Sequence, residues 1–221
     1  MHTILYVNDS QHLRECCEKW SKYAFIALDT EFVREKTFYP IAGLIQVGVG
    51  QQAYLLDPLA IDDWQPFAEL LSNHNVIKVL HSCSEDLEVL QQLVGVLPEP
   101  LYDTQIAMAF AGLGFSWSYA KLVAYFLNIE VAKEETRSDW LQRPLTEQQQ
   151  LYAAQDVLYL EQLFPALDQL LSDKKRAWLL QDCADLVAAY RNPAPLTELW
   201  MGAKQAWRLN ARQSAALREL Y

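Results

Sequence analysis

Apolar residues fall first in short runs and later at helical spacing, with the change near Asp103. ILYV near the amino terminus, FIAL (25–28), LIQVGV (44–49), AYLLD (53–57) and VIKVL (76–80) have the length and composition of strands. FIAL ends abruptly in acids. LIQVGV and AYLLD are separated by Gly50 and two glutamines, which predicts a hairpin. Helices are predicted from about Gln11 to Lys22, near Trp64–Leu71, and after VIKVL up to Gly95. Further helices are predicted near 104–111, 118–127, 147–171 and 174–190, with Thr146 and Gln149 placed as a capping box before the third of these. Between them, NIEVAKEETRSDWLQRP is polar and reads as a surface loop. Strands first hairpinned and then interleaved with helices predict an α/β fold, a mixed sheet covered by helices. Asn192-Pro193-Ala194-Pro195 breaks the pattern, and beyond it Trp207, Leu209, Ala216 and Leu217 are expected to line one face of a terminal helix.

A chain of 221 residues can bury one substantial core, or one core and a small appendage. Its 52% hydrophobic and 21% charged content is that of a soluble globular protein. No apolar run approaches the roughly 18 residues that span a bilayer, and MHTILYVNDS lacks the basic start and apolar run of a secretion signal. No membrane partner is therefore expected, and the expected location is cytoplasmic. Cys16, Cys17, Cys83 and Cys183 make no CxxC pair and no zinc spacing, so free thiols are expected. The formal charge of −10 argues against a protein that grips nucleic acid by general basicity. Acids that serve as metal ligands change that balance, because each divalent ion returns two positive charges. Lys204, Arg208, Arg212 and Arg218 mark the one plainly basic stretch, for which a solvated helix face is the ordinary reading.

Three acidic groups could carry chemistry. Asp29 and Glu31, two apart in a strand, project from the same face at the end of a buried run. Adjacent carboxylates repel unless a proton or cation lies between them, and a hard divalent metal with oxygen ligands meets that need. A solvated strand end is the competing reading. A second D-x-E, Asp86-Leu87-Glu88, falls in a predicted helix, where residues two apart do not share a face. Glu85 and Asp86 lie in a first helical turn, where acids are common because they favour the positive end of the dipole. Tyr152 and Asp156, four apart on a helix, are neighbours, and Leu151, Val157, Leu158 and Leu160 around them are expected to pack that helix on the sheet.

As a set, ALDTEF, HSCSEDLEVL and YAAQDV resemble the three exonuclease motifs of the DEDD superfamily, in the subgroup whose last motif is Y-x3-D. FYPIAGLIQVG, LLDPL, DTQIA and SDWLQRPLTEQQQLYAAQDV extend the resemblance to the bacterial ribonuclease D family, from about residue 3 to about residue 190. The resemblance implies a ribonuclease H-like fold, a mixed sheet flanked by helices with a helical C-terminal extension. It also implies a 3′–5′ exoribonuclease that releases nucleoside 5′-monophosphates. Two divalent metal ions, Mg²⁺ or Mn²⁺, are implied, held by Asp29, Glu31, Asp86 and Asp156. Asp29 would bridge both, Glu31 and Asp156 would complete the site of the attacking water, and Asp86 would help the second ion. Asp86 is taken over Glu85 because the family's second motif places its Asp five residues after this histidine. Tyr152 would orient the water rather than act as a strong base, since a free phenol has a pKa near 10.

Substrate contacts are expected from Phe32 to the terminal base or sugar, and from His81 and Arg137 to phosphate or base, although each could equally serve structure. The implied partner is RNA with a free 3′ end, a structured precursor tRNA above all, bound by a monomer. The expected organisation is an exonuclease domain over 1–190, a linker over 191–203, and at 204–221 the start of a truncated HRDC-type helical domain. AWRLNARQ (206–213) resembles that domain's opening. Two rivals use the same residues. A DNA-directed 3′–5′ exonuclease shares the acids and the tyrosine, and no residue identifies itself as the reader of the 2′-hydroxyl. An inactive RNA-binding protein on the same fold predicts lost metal ligands and a basic surface, and this chain has neither.

Overall fold

The computed structural model describes residues 3–131, 138–192 and 200–219. The apolar runs form strands β1 (Thr3–Val7), β2 (Phe25–Val33), β3 (Ile41–Val49), β4 (Gln52–Leu56), β5 (Ile77–Leu80) and β6 (Leu101–Asp103). The helices are α1 (Ser10–Trp20), α2 (Gln65–Leu71), α3 (Ser84–Leu93), α4 (Thr104–Ala111), α5 (Tyr119–Leu127), α6 (Glu147–Asp168), α7 (Asp173–Arg191) and α8 (Ala211–Arg218). The strands join in one sheet ordered β1-β4-β3-β2-β5-β6. β3 is antiparallel to both β2 and β4, and the remaining pairs are parallel. This is the mixed sheet flanked by helices that the pattern predicts. Two compact units divide the chain, Met1–Val187 and Ala188–Tyr221.

The predicted hairpin joins β3 to β4. Val49 pairs with Gln52, leaving a two-residue turn of Gly50 and Gln51 with φ of +62° and +63°. Positive φ at both positions matches the right-handed twist of the strands. Gly50 adopts it without steric cost. Gln51 does not, and its amide is held by donating to the Glu161 carboxylate of α6 at 3.1 Å.

α6 starts where the sequence places it, with both halves of the Thr146–Gln149 capping box formed, and lies across β2, β3 and β4. Small residues let it approach. Ala27, Gly48 and Ala53 pair side by side across the three strands, and a Cβ on Gly48 would stand 2.6 Å from the Val157 carbonyl oxygen. Ala153 and Ala154 face inward from the helix. The close fit sets α6 directly over the face of β2 that carries Ala27, Asp29 and Glu31.

Several expectations need correction. β2 does not end at the acids but runs on to Val33, because β3 pairs with it as far as Val33↔Ile41 whatever the side chains. The three-residue β6 shows no run in the sequence. The polar stretch before α6 is not simply a surface loop, since Trp140 in it is only 2% exposed. Its backbone sits against Gly43, where a Cβ would be 2.7 Å from the Trp140 carbonyl oxygen. Gly43 is the extra residue where the β2–β3 register slips between Glu31 and Phe32. Arg143 secures the same stretch, donating to Asp57 at 2.6 and 2.8 Å and to the Gly43 carbonyl at 2.7 Å. Leu151 is exposed and does not pack on the sheet.

In the second unit the terminal helix is shorter than the apolar spacing suggests. Asn210 caps it, accepting from the Gln213 amide while Gln213 accepts in return. Trp207 therefore precedes the helix, is exposed, and lies against the Arg208 guanidinium. The four cysteines are free, as expected, and all four are buried. Among the described residues no helix is long and apolar enough to cross a membrane.

Candidate active site

Asp29 and Glu31 on β2 and Asp156 on α6 each offer a carboxylate oxygen within 4.8 Å of the others. They line a cleft of ≈ 180 Å³ together with His81, Tyr119, Tyr152 and Leu160. Strand alternation brings the first two to one face, and one helical turn brings Tyr152 beside Asp156. Three carboxylates so close form a donor set for a hard divalent cation, which takes oxygen ligands and offsets their repulsion.

Thr30 lies between the paired acids and so projects from the other face of β2. Its hydroxyl donates to Asp86 Oδ1 at 2.6 Å. That bond holds Asp86, 8% exposed in the first turn of α3, beside the cluster but not within it. The neighbouring Glu85 is exposed, and Glu88 pairs with Arg34, so the second D-x-E does not converge. His81 Nδ1 lies 2.9 Å from the Thr104 hydroxyl, which donates to the Leu80 carbonyl at 3.2 Å. The ring also meets the Trp117 backbone carbonyl, so His81 is held in place from two sides. Phe32 sits at the irregular rung opposite Ala42 and does not line the cleft. Arg137 lies outside the described residues.

Two contributors escape a reading of the sequence. The ring of Tyr119 packs 5.5 Å from that of His81, and its hydroxyl donates to the Asp156 carbonyl. Nothing near Tyr119 in the chain marks a bond to a residue 37 positions away. Thr30 does carry a signal, since a hydroxyl stands at the middle of the D-x-E.

Burial is the main electrostatic influence on the cluster. With the charges of Asp156, Asp86 and Glu31 it lifts the Asp29 carboxyl well above the usual range. Glu31 is raised to about 9 by burial and by Asp156 and Asp86, and burial raises Asp156 to about 7. Asp86 reaches about 6, burial outweighing the Thr30 hydrogen bond. Each acid is thus raised above its unfolded value. Its contribution to stability is complete near pH 4 and is lost as pH climbs through 6 to 9. Two bases act in the opposite sense: burial lowers His81 and brings Lys78 to about 7. Those contributions cancel when melting is compared with and without cation at one pH. The rise in Tm produced by Mg²⁺ is accordingly expected to be small at pH 5 and on the order of 5 °C larger at pH 8. Calorimetric melting at both values checks this, and a gain that shrinks with pH would count against carboxylate ligands.

A family model described as 3′–5′ exonuclease matches residues 4–172. Ribonuclease D of Pseudomonas paraeruginosa is 53% identical over 98% of this chain and 58% of that protein. Ribonuclease D of Escherichia coli is 42% identical over 94% of this chain and 56% of that protein. The crystal structure of Escherichia coli RNase D, described as an exoribonuclease involved in structured RNA processing, superposes with a TM-score of 0.84 at 38% identity. That match covers 99% of this chain and 58% of the crystallised one. The chain spans a little over half the length of these relatives.

Proposed function

Because this chain belongs to the 3′–5′ exonuclease family and groups there with ribonuclease D, we propose that it trims RNA from the 3′ end by metal-dependent hydrolysis. The convergence of Asp29, Glu31 and Asp156 on one cleft, with Tyr152 a helical turn from Asp156, carries this reading. Asp29, Glu31 and Asp156, aided by Asp86, would hold two divalent ions, Mg²⁺ or Mn²⁺. When bound, such ions acidify a water and offset charge on the leaving 3′ oxygen. The protein's own groups then do the positioning. Tyr152 orients the water toward the terminal phosphodiester by a hydrogen bond, and Tyr119 steadies the α6 backbone at Asp156. His81, in the wall of the cleft, meets phosphate or base of the terminal nucleotide. Phe32 and Arg137 are proposed as outer contacts. Attack in line with the leaving oxygen releases nucleoside 5′-monophosphates one at a time.

RNA is proposed over DNA because the likeness to ribonuclease D runs along almost the whole chain rather than through the motifs alone. Structured precursor tRNA as substrate, a monomeric state and a cytoplasmic location are proposed on the same likeness. A division into an exonuclease domain over 1–190, a connecting segment over 191–203 and a helical segment of HRDC type over 204–221 is proposed with them. The test is incubation with 5′-labelled single-stranded RNA and matched DNA, in Mg²⁺, in Mn²⁺ and in chelator. A metal-dependent ladder shortening from the 3′ end, faster on RNA, is expected. Faster shortening of DNA would reassign the substrate, and RNA binding with no ladder would make the fold a binding module.

A further inference from the structure

Gln46 is the one amide in the apolar run of β3, and it is fully buried. Both its side-chain nitrogen and its oxygen are shut off from solvent, and neither has a hydrogen-bond partner among the described residues. Register fixes its surroundings. Gln46 pairs with Asp29 on one side and with Leu55 on the other. Along β3 its neighbours on the same face are Leu44 and Gly48, and Gly48 meets the backbone of α6. Gln46 therefore rises from the face that α6 covers, where the side chain directly opposite, with Cβ about 5 Å away, is the Asp29 carboxylate. Its other adjacent neighbours on that face, Leu44, Gly48 and Leu55, offer no side-chain hydrogen-bonding group, and Glu31 stands on the diagonal, farther off.

We propose that Gln46 is a positioning residue for Asp29, its amide donating to the carboxylate oxygen that faces away from the bound cation. This inference rests on the divalent-cation reading of the cluster. An unpaired buried amide disfavours the fold, and an apolar side chain of the same length would not. A bond from N–H to a fixed, ionised carboxylate is charge-assisted and recovers that loss. Hydrogen bonds of this kind, made to a ligand rather than to the metal, commonly tune cation affinity by about 10- to 100-fold. Gln46 is then a trade, weakening the metal-free protein and strengthening the cation-bound one.

Gln46→Met, with Gln46→Leu as a second replacement, separates the possibilities by two readouts that need no turnover. The metal-free variant is expected to melt about 3 °C or more above wild type. In titration calorimetry its Mg²⁺ dissociation constant is expected to rise about 10-fold or more. A raised Tm with Mg²⁺ affinity within twofold of wild type would make Gln46 a passive filler and overturn the proposal. Lower metal-free stability in both variants would also overturn it, by showing that the amide is already paired. Failure of the wild-type chain itself to take up Mg²⁺ would instead remove the cation reading on which the inference stands.

Discussion

Exchange of Asp29 for Asn is expected to leave RNA hydrolysis at or below about 10⁻³ of the wild-type rate, while the metal-free protein becomes harder to melt. The loss follows from the position of Asp29, whose oxygen lies within 4.8 Å of those of both Glu31 and Asp156. A divalent ion in such a site supplies several kcal/mol to the transition state, and about 4 kcal/mol corresponds to about 10³ in rate. Asn keeps the shape of the side chain but offers the cation no charge. The gain in stability has the opposite origin. Asp29 is half-buried beside three other acids that raise its pKa, so a neutral amide removes repulsion from the metal-free fold. The paired readouts distinguish lost chemistry from lost structure. A well-folded Asp29→Asn protein that still shortens labelled RNA within tenfold of wild type would remove Asp29 from the mechanism. Glu85→Gln, on the exposed neighbour of Asp86, is expected to leave both readouts unchanged.

Local pattern reveals what local forces decide. Period-2 spacing placed Asp29 with Glu31, four-residue spacing placed Tyr152 with Asp156, and the capping box gave the start of α6. The cleft holds four of these groups together because β2 and α6 present them to the same space. The pattern around Glu85 and Asp86 could not choose between two acids of one helical turn, and only the resemblance favoured Asp86. In the structure the two differ by a partner 56 residues away, the Thr30 hydroxyl. Trp140 escaped for a similar reason. A polar stretch reads as loop, yet one indole in it is buried, because Gly43 leaves room for the Trp140 backbone and Arg143 reaches Asp57, 86 residues earlier. β2 outran its apolar run because backbone pairing, not side-chain polarity, sets its length. Gln46 did leave a trace, an amide inside LIQVGV, but its meaning depends on the register that sets it opposite Asp29.

That dependence of the site on long-range fit makes Gly48 its weakest structural point. A methyl group there would stand 2.6 Å from the Val157 carbonyl oxygen, 2.9 Å from its carbon and 3.0 Å from its Cβ. Two of these atoms belong to the backbone of α6, so no side-chain rotation relieves the clash and the helix itself must lift. Overpacking of this kind costs about 1–3 kcal/mol, which for a chain of this size lowers Tm by roughly 3–10 °C. The larger effect falls on chemistry. Asp156 is the residue just before Val157, and a displacement near 1 Å in a catalytic constellation costs about 10²-fold. Gly48→Ala is therefore expected to retain about 1% of wild-type activity at temperatures well below its Tm, with Asp29 and Glu31 undisturbed on β2. Gly112→Ala provides the contrast. Gly112 has φ of +79° but no atom within 4 Å of its would-be Cβ, so it bears the strain of an unfavourable backbone angle, about 1 kcal/mol, and keeps its activity. If both variants lost stability alike and neither lost activity, α6 would not be what sets Asp156 against the strand.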